Sequence, residues 1–149
     1  MSEKDDFVRQ FREIQPKFSR FYAHLLTEAN LTLPQFALLS QLANRGAVSM
    51  TEVSGQLDIT KPAVTHLVDR LEKNKLLKRL PHPKDRRVFL LQVQPRGERL
   101  VRETQGRVLD FVLKAFNPFS ASEKKVIARF YNLLSQNMDQ QLLSFRKRK

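Results

Sequence analysis

Three cations crowd into four residues at Lys84, Asp85, Arg86 and Arg87, just after Pro81-His82-Pro83. A basic finger of this kind can place an arginine in a narrow DNA minor groove, where the potential is more negative. Asp85 stands two residues before Arg87 and can brace its guanidinium by a paired hydrogen bond. Bracing reduces the entropy lost when the arginine inserts. Upstream, Thr60-Lys61-Pro62-Ala63-Val64-Thr65-His66 runs on to Arg70. If Val64, Leu67, Val68 and Leu71 turn inward, the outward set is Thr60, Lys61, Pro62, Ala63, Thr65, His66 and Arg70. That set is small, polar or basic, which suits a groove floor. Lys61 and Arg70 can reach phosphates or guanine, Thr65 and His66 can bond base edges, and Pro62 and Ala63 can meet thymine methyls. Either cluster taken alone also fits an ordinary solvated surface.

The charge distribution favours a polyanionic partner. The 149 residues carry a net charge of +12. Residues 1–44 balance, residues 45–102 hold thirteen basic against six acidic side chains, and much of the remaining excess is Arg146-Lys147-Arg148-Lys149. A concentrated positive stretch attracts DNA, RNA or an anionic membrane surface. At the C-terminal end, a solvated cationic helix terminus favoured by the helix dipole explains the cluster as well as phosphate contact does. Cysteine is absent, which excludes disulfides, thiolate metal sites and thiol redox sensing. His24, His66 and His82 are far apart and lack ligand spacing, so no metal or other cofactor is expected. No phosphate loop, nucleophile elbow or His-Glu-x-x-His pattern occurs, which argues against an enzyme. No apolar run reaches the ~18 residues of a membrane span, and residues 1–6 do not read as a secretory signal, so a cytoplasmic location is expected.

The elements that would position these clusters follow from periodicity. Phe7, Phe11, Ile14, Phe18, Phe21 and Leu25 mark one face of a long helix, with a kink or short break expected at Pro16 and a frayed start around Asp5-Asp6. Thr32 to Gln35, Ser49 to Glu52 and Ser120 to Glu123 read as capping boxes, and Thr60 as a further N-cap. The helix from Thr60 should end near Asn74 in the left-handed conformation. Residues 76–80 and 88–93 read as strands joined by a basic turn. Two long helices follow, carrying Leu100, Val108 and Phe111, then Phe130, Leu134, Met138 and Leu142.

Helix, short turn, helix and hairpin make a winged helix-turn-helix whose second helix enters the major groove. The fold class is therefore mainly α with a small β-wing, flanked by long terminal helices. Those helices carry broad apolar faces that a compact middle lobe cannot cover, and a symmetric homodimer buries them at least cost.

Thr51-Glu52-Val53 through Leu57, then Thr60-Lys61-Pro62-Ala63-Val64-Thr65-His66-Leu67-Val68-Asp69-Arg70-Leu71-Glu72, Arg79 and Asp85-Arg86-Arg87, resemble the multiple-antibiotic-resistance regulator (MarR) family of bacterial transcription factors. Motif detail covers about residues 31–97, and the order of the flanking helices matches as well. The resemblance implies a dimeric regulator of double-stranded DNA, more often a repressor, reading a pseudo-palindrome and released by a small-molecule effector. It implies Arg87 as the wing arginine, with Arg86 and Lys84 beside it and Asp85 as brace. It also implies a division into a dimerisation helix at 1–30, a DNA-binding lobe at 31–94 and C-terminal dimerisation helices at 95–149. The sequence departs from the family at Lys75, where glycine is usual, at Gln94, where threonine is usual, and at His66, often arginine. Phe11, Phe18, Phe21 and Phe36 could line an effector space, but aromatics at helical spacing read first as core, so no ligand residue is assigned. The competing function is a winged-helix interaction module docking an acidic protein. An RNA binder is disfavoured, because Phe89 is the only aromatic ring besides histidine in the basic segment.

Overall fold

The computed structural model describes residues 2–147, with side chains through Phe145, so the Arg146–Lys149 cluster lies outside the described side chains. In order the elements are α1 (Glu3–Glu28), α2 (Leu33–Arg45), β1 (Val48–Ser49), α3 (Met50–Leu57), α4 (Lys61–Lys73), β2 (Leu77–Pro81), β3 (Phe89–Val93), α5 (Pro95–Phe116) and α6 (Ala121–Lys147).

Side-chain caps start most of the helices. Thr32, Ser49 and Ser120 each engage the residue three positions on in a reciprocal box, and Thr60 accepts from the Ala63 amide. These bonds satisfy amides that have no partner within the helix. The expected fraying at Asp5-Asp6 is not found. Ser2 and Asp5 form a fourth capping box, which brings both acids into the first turn, where the helix dipole favours them. Of the kink or short break expected at Pro16, the break is absent, and α1 runs through it. Proline removes one ladder bond, and on this exposed stretch the freed carbonyl is open to water.

The strands form an antiparallel sheet in the order β1-β3-β2, with Val48 opposite Leu91 and Arg79 opposite Leu91 from the other side. β1 was not expected. At two residues it is too short to show a period, and only its partner makes it a strand. The hairpin strands begin one residue later than their periodicity suggests, because Leu76 belongs to the turn leaving α4 and Val88 to the turn at the tip.

That turn differs from expectation in another respect. Asn74 stays on the right-handed side at φ −85°, and Lys75 takes the left-handed position at φ 58°. The Lys75 amide bonds Glu72 O and the Leu76 amide bonds Leu71 O, the paired closure usually built on glycine. Lysine holds it at a steric cost that glycine would avoid.

Residues Met1–Val108 and Leu109–Lys149 form separate compact units. The first has a continuous core of Phe36, Leu38, Leu39 and Leu42 from α2, Val53 from α3, Val64, Val68 and Leu71 from α4, and Leu77 and Leu91 from the sheet. The end of α1 adds Leu26 and the start of α5 adds Val101. In the second unit Lys124 lies over the Phe116 ring and donates to the Asn117 carbonyl, closing the turn into α6. Among its described residues, none of the large apolar side chains of α6 is buried.

Candidate nucleic-acid interface

The turn between α3 and α4 aims the second helix. Asp58 closes α3 in the left-handed conformation at φ 55°, and Ser54 Oγ donates to Ile59 O at 2.7 Å. Val64, Val68 and Leu71 then lock the inner face of α4 into the core. The rotation leaves Thr60, Lys61, Pro62, Thr65, His66 and Arg70 exposed and Ala63 half-buried. The Thr65 hydroxyl donates to Lys61 O at 3.1 Å. In this conformation the hydroxyl proton is used within the helix, and the oxygen can still accept a hydrogen bond from outside.

The hairpin tip is an ordered turn. The His82 amide bonds Val88 O at 2.9 Å, the Val88 amide bonds Asp85 O at 3.0 Å, and the Lys84 amide donates to His82 Nδ1 at 3.2 Å. Asp85 was expected to hold the Arg87 guanidinium. Its carboxylate instead accepts from the Arg87 backbone amide at 3.0 Å. The carboxylate is two residues away along a tight turn, so the nearest donor is the main chain and not the end of a long side chain. Lys84, Asp85, Arg86 and Arg87 are all exposed, and Arg87 has no side-chain ion pair among the described residues.

A clamp joins these two parts. From β2, Arg79 Nη2 meets Asp69 at 2.5 Å, Nη1 meets Glu72, and the Arg79 amide donates to Glu72 at 3.1 Å. Burial disfavours the guanidinium charge, but the bonds to Asp69 and Glu72 outweigh it and hold its pKa above the ordinary arginine value. The clamp fixes the hairpin's position against α4. Sequence reasoning placed all three residues in the family motif without giving them this role. Half of the signal was local, since two acids three apart share one face of a helix, but nothing local names Arg79 as their partner.

The far end of α4 is tied to α5. Leu76 O accepts from the Gln94 amide at 2.9 Å, Gln94 Nε2 donates to Leu77 O at 2.8 Å, and Arg96 reaches Asn74 O at 3.3 Å. Gln94 thus pins a strand instead of capping α5 with its side chain. A Cβ on Gly97 would stand 2.2 Å from Leu76 O, so only glycine permits this approach. A cavity of about 540 Å³ opens at the same junction, bordered by Glu28, Asn30, Asn74, Arg96, Arg99 and Glu103. Of the four aromatics that could line an effector space, Phe36 is core, edge-on to Tyr22 at 5.8 Å, Phe21 is half-buried, and Phe11 and Phe18 are exposed on α1. Among the described residues no group of three His, Asp or Glu could hold a metal ion, and no helix is long and apolar enough to cross a membrane.

Residues 31–89, from α2 through the wing tip to the first residue of β3, match the MarR family model. Over 133 residues the chain is 28% identical to YsmB of Bacillus subtilis, an uncharacterized HTH-type transcriptional regulator, covering 89% of this chain and 91% of that one. It is 30% identical over 105 residues to the HTH-type transcriptional regulator FarR of Neisseria gonorrhoeae, covering 70% of this chain and 71% of FarR. Among solved structures, a MarR family protein from Bacillus stearothermophilus superposes with a TM-score of 0.78 at 26% identity, covering 93% of this chain and 99% of that one. With α4 and a basic wing presented on one lobe and these relatives beside it, the chain belongs to the MarR family of transcriptional regulators and carries that family's DNA-binding winged helix.

Proposed function

We propose that the protein is a homodimeric, sequence-specific repressor acting in the cytoplasm. Each subunit reads half of a pseudo-palindrome, with half-site centres ~34–36 Å apart. Lys61, Pro62, Ala63, Thr65 and His66, with Thr60 and Arg70 at either end, face the major groove, and Lys84, Arg86 and Arg87 face the adjacent minor groove. Residues 31–94 serve as the reading lobe, and the helices of 1–30 and 95–149 join two copies. The observation that carries this reading is the exposure of both cationic clusters on a lobe whose internal clamp holds one against the other. Dimerisation is supported by the apolar side chains left exposed on the terminal helices, among them Phe7, Phe11, Phe130 and Met138. A small-molecule effector would favour a dimer whose two α4 helices are wrongly spaced.

The test is to recover the duplex fragments that the purified protein retains from its genome and to measure stoichiometry on one of them by sedimentation. Two chains per site on an inverted repeat are expected. Retention of no duplex, or one chain per site, overturns the reading. Binding to an acidic protein in place of DNA would favour the interaction-module alternative.

A further inference from the structure

One aromatic ring on the wing remains outside the core. Residues opposite each other in an antiparallel pair share a face, so Leu77 and Val93, Arg79 and Leu91, and Pro81 and Phe89 all lie on one side of the hairpin. Arg79 identifies that side, because its guanidinium reaches Asp69 and Glu72 on α4. Along this face burial runs out toward the tip. Leu91 is 0% exposed, and Phe89 is 47% exposed. The core ends before it reaches Phe89, and Pro81 opposite is exposed as well. Lys84, Arg86 and Arg87 follow within the same turn.

We infer that Phe89, backed by Pro81, is a DNA-contact residue that packs against the apolar surface of the duplex beside the wing. This rests on the proposed DNA-reading role of the wing and adds a contact of a different kind. The cations on the tip draw the phosphate backbone to the end of the hairpin, where a ring on its α4 side then meets deoxyribose or a thymine methyl. Such a contact releases no counterions, so its contribution does not depend on salt. The wing therefore grips in two ways: its cations set the salt slope, and Phe89 raises affinity equally at every salt concentration.

The experiment compares wild type, Phe89→Ala, Phe89→Leu and Arg87→Ala on one retained genomic duplex across a salt series, with thermal midpoints as a control for folding. Phe89→Ala should lose about tenfold in affinity while its log–log salt plot stays parallel to wild type. Phe89→Leu should recover most of that loss, and Arg87→Ala should give a shallower slope. Repeating the series with uracil in place of thymine separates the two apolar surfaces. If the Phe89 effect disappears, the contact is to the methyl group; if it persists, the contact is to the sugar. The inference is overturned if Phe89→Ala coincides with wild type, or if its salt slope becomes shallower as for a lost cation. A wild-type protein that binds no duplex defeats the underlying reading first, and that result is distinguishable from either of these.

Discussion

The apolar faces of α4 and α6 are built on the same helical repeat and meet opposite fates. Val64, Val68 and Leu71 are 0% exposed, whereas Leu134, Met138 and Leu142 remain 38–59% exposed. The first face is covered within its own unit by α2, α3 and the sheet. The second has no such cover among the described residues of its unit. A single subunit therefore suffices to orient the reading surface, whereas the distance between two such surfaces in the proposed dimer would be set elsewhere, by helices that need a partner. In the proposed dimer this division would let a small-molecule effector change spacing without disturbing the lobe.

Breaking the covered face should cost most. Leu71→Ala leaves a cavity in a core with no slack and should destabilise the fold by about 2–5 kcal/mol, read as a lower denaturation midpoint at any protein concentration. On the uncovered face, Met138→Lys should leave the unfolding of the lobe unchanged and weaken self-association by at least about tenfold, since it places an unpaired charge in the proposed interface. Sedimentation at several concentrations reads this, and equal loss of lobe stability would show that the two faces are not independent.

Within the lobe, Arg87→Ala should lower affinity on most sequences and reduce the salt slope by about one unit. An unchanged slope removes Arg87 from the phosphate-neutralising set. Lys75→Gly should raise stability by about 1 kcal/mol by relieving the left-handed strain while keeping the turn's two amide bonds. The smallest effect is on acid sensitivity. The Ser49 amide and then its hydroxyl bond Glu52 and lower its pKa from 4.5. A depressed carboxylate contributes stability above its unfolded value and loses it as pH falls through the folded one. Glu52→Gln should therefore flatten the decline of the thermal midpoint below pH 4.5, and an unchanged decline would show that this cap does not contribute to it.

Much of the fold was legible because its instructions are local. Ser49 and Glu52, Thr32 and Gln35, and Ser120 and Glu123 cap helices through partners three residues away, and α4 shows its buried side as a short-range repeat. The exposed candidates Lys61, Thr65, His66, Arg70, Lys84, Arg86 and Arg87 followed by subtraction from that repeat and from the turn. Asp85 shows the limit. Its proximity to Arg87 was readable, but whether it meets side chain or backbone depends on the turn's dihedral angles.

The sequence by itself determined the helices, the hairpin and the basic character of one lobe, because caps, periodicity and charge runs act over a few residues. Only the tertiary structure decided that Arg79 clamps the wing to α4, that Leu76 leaves no room for a side chain at Gly97, and that Lys75 bears the strain of ending α4. The first two depend on backbone segments distant in sequence meeting at van der Waals or hydrogen-bond range. The third depends on where the chain must turn to enter the sheet. No local pattern encodes these separations; they emerge when the core closes.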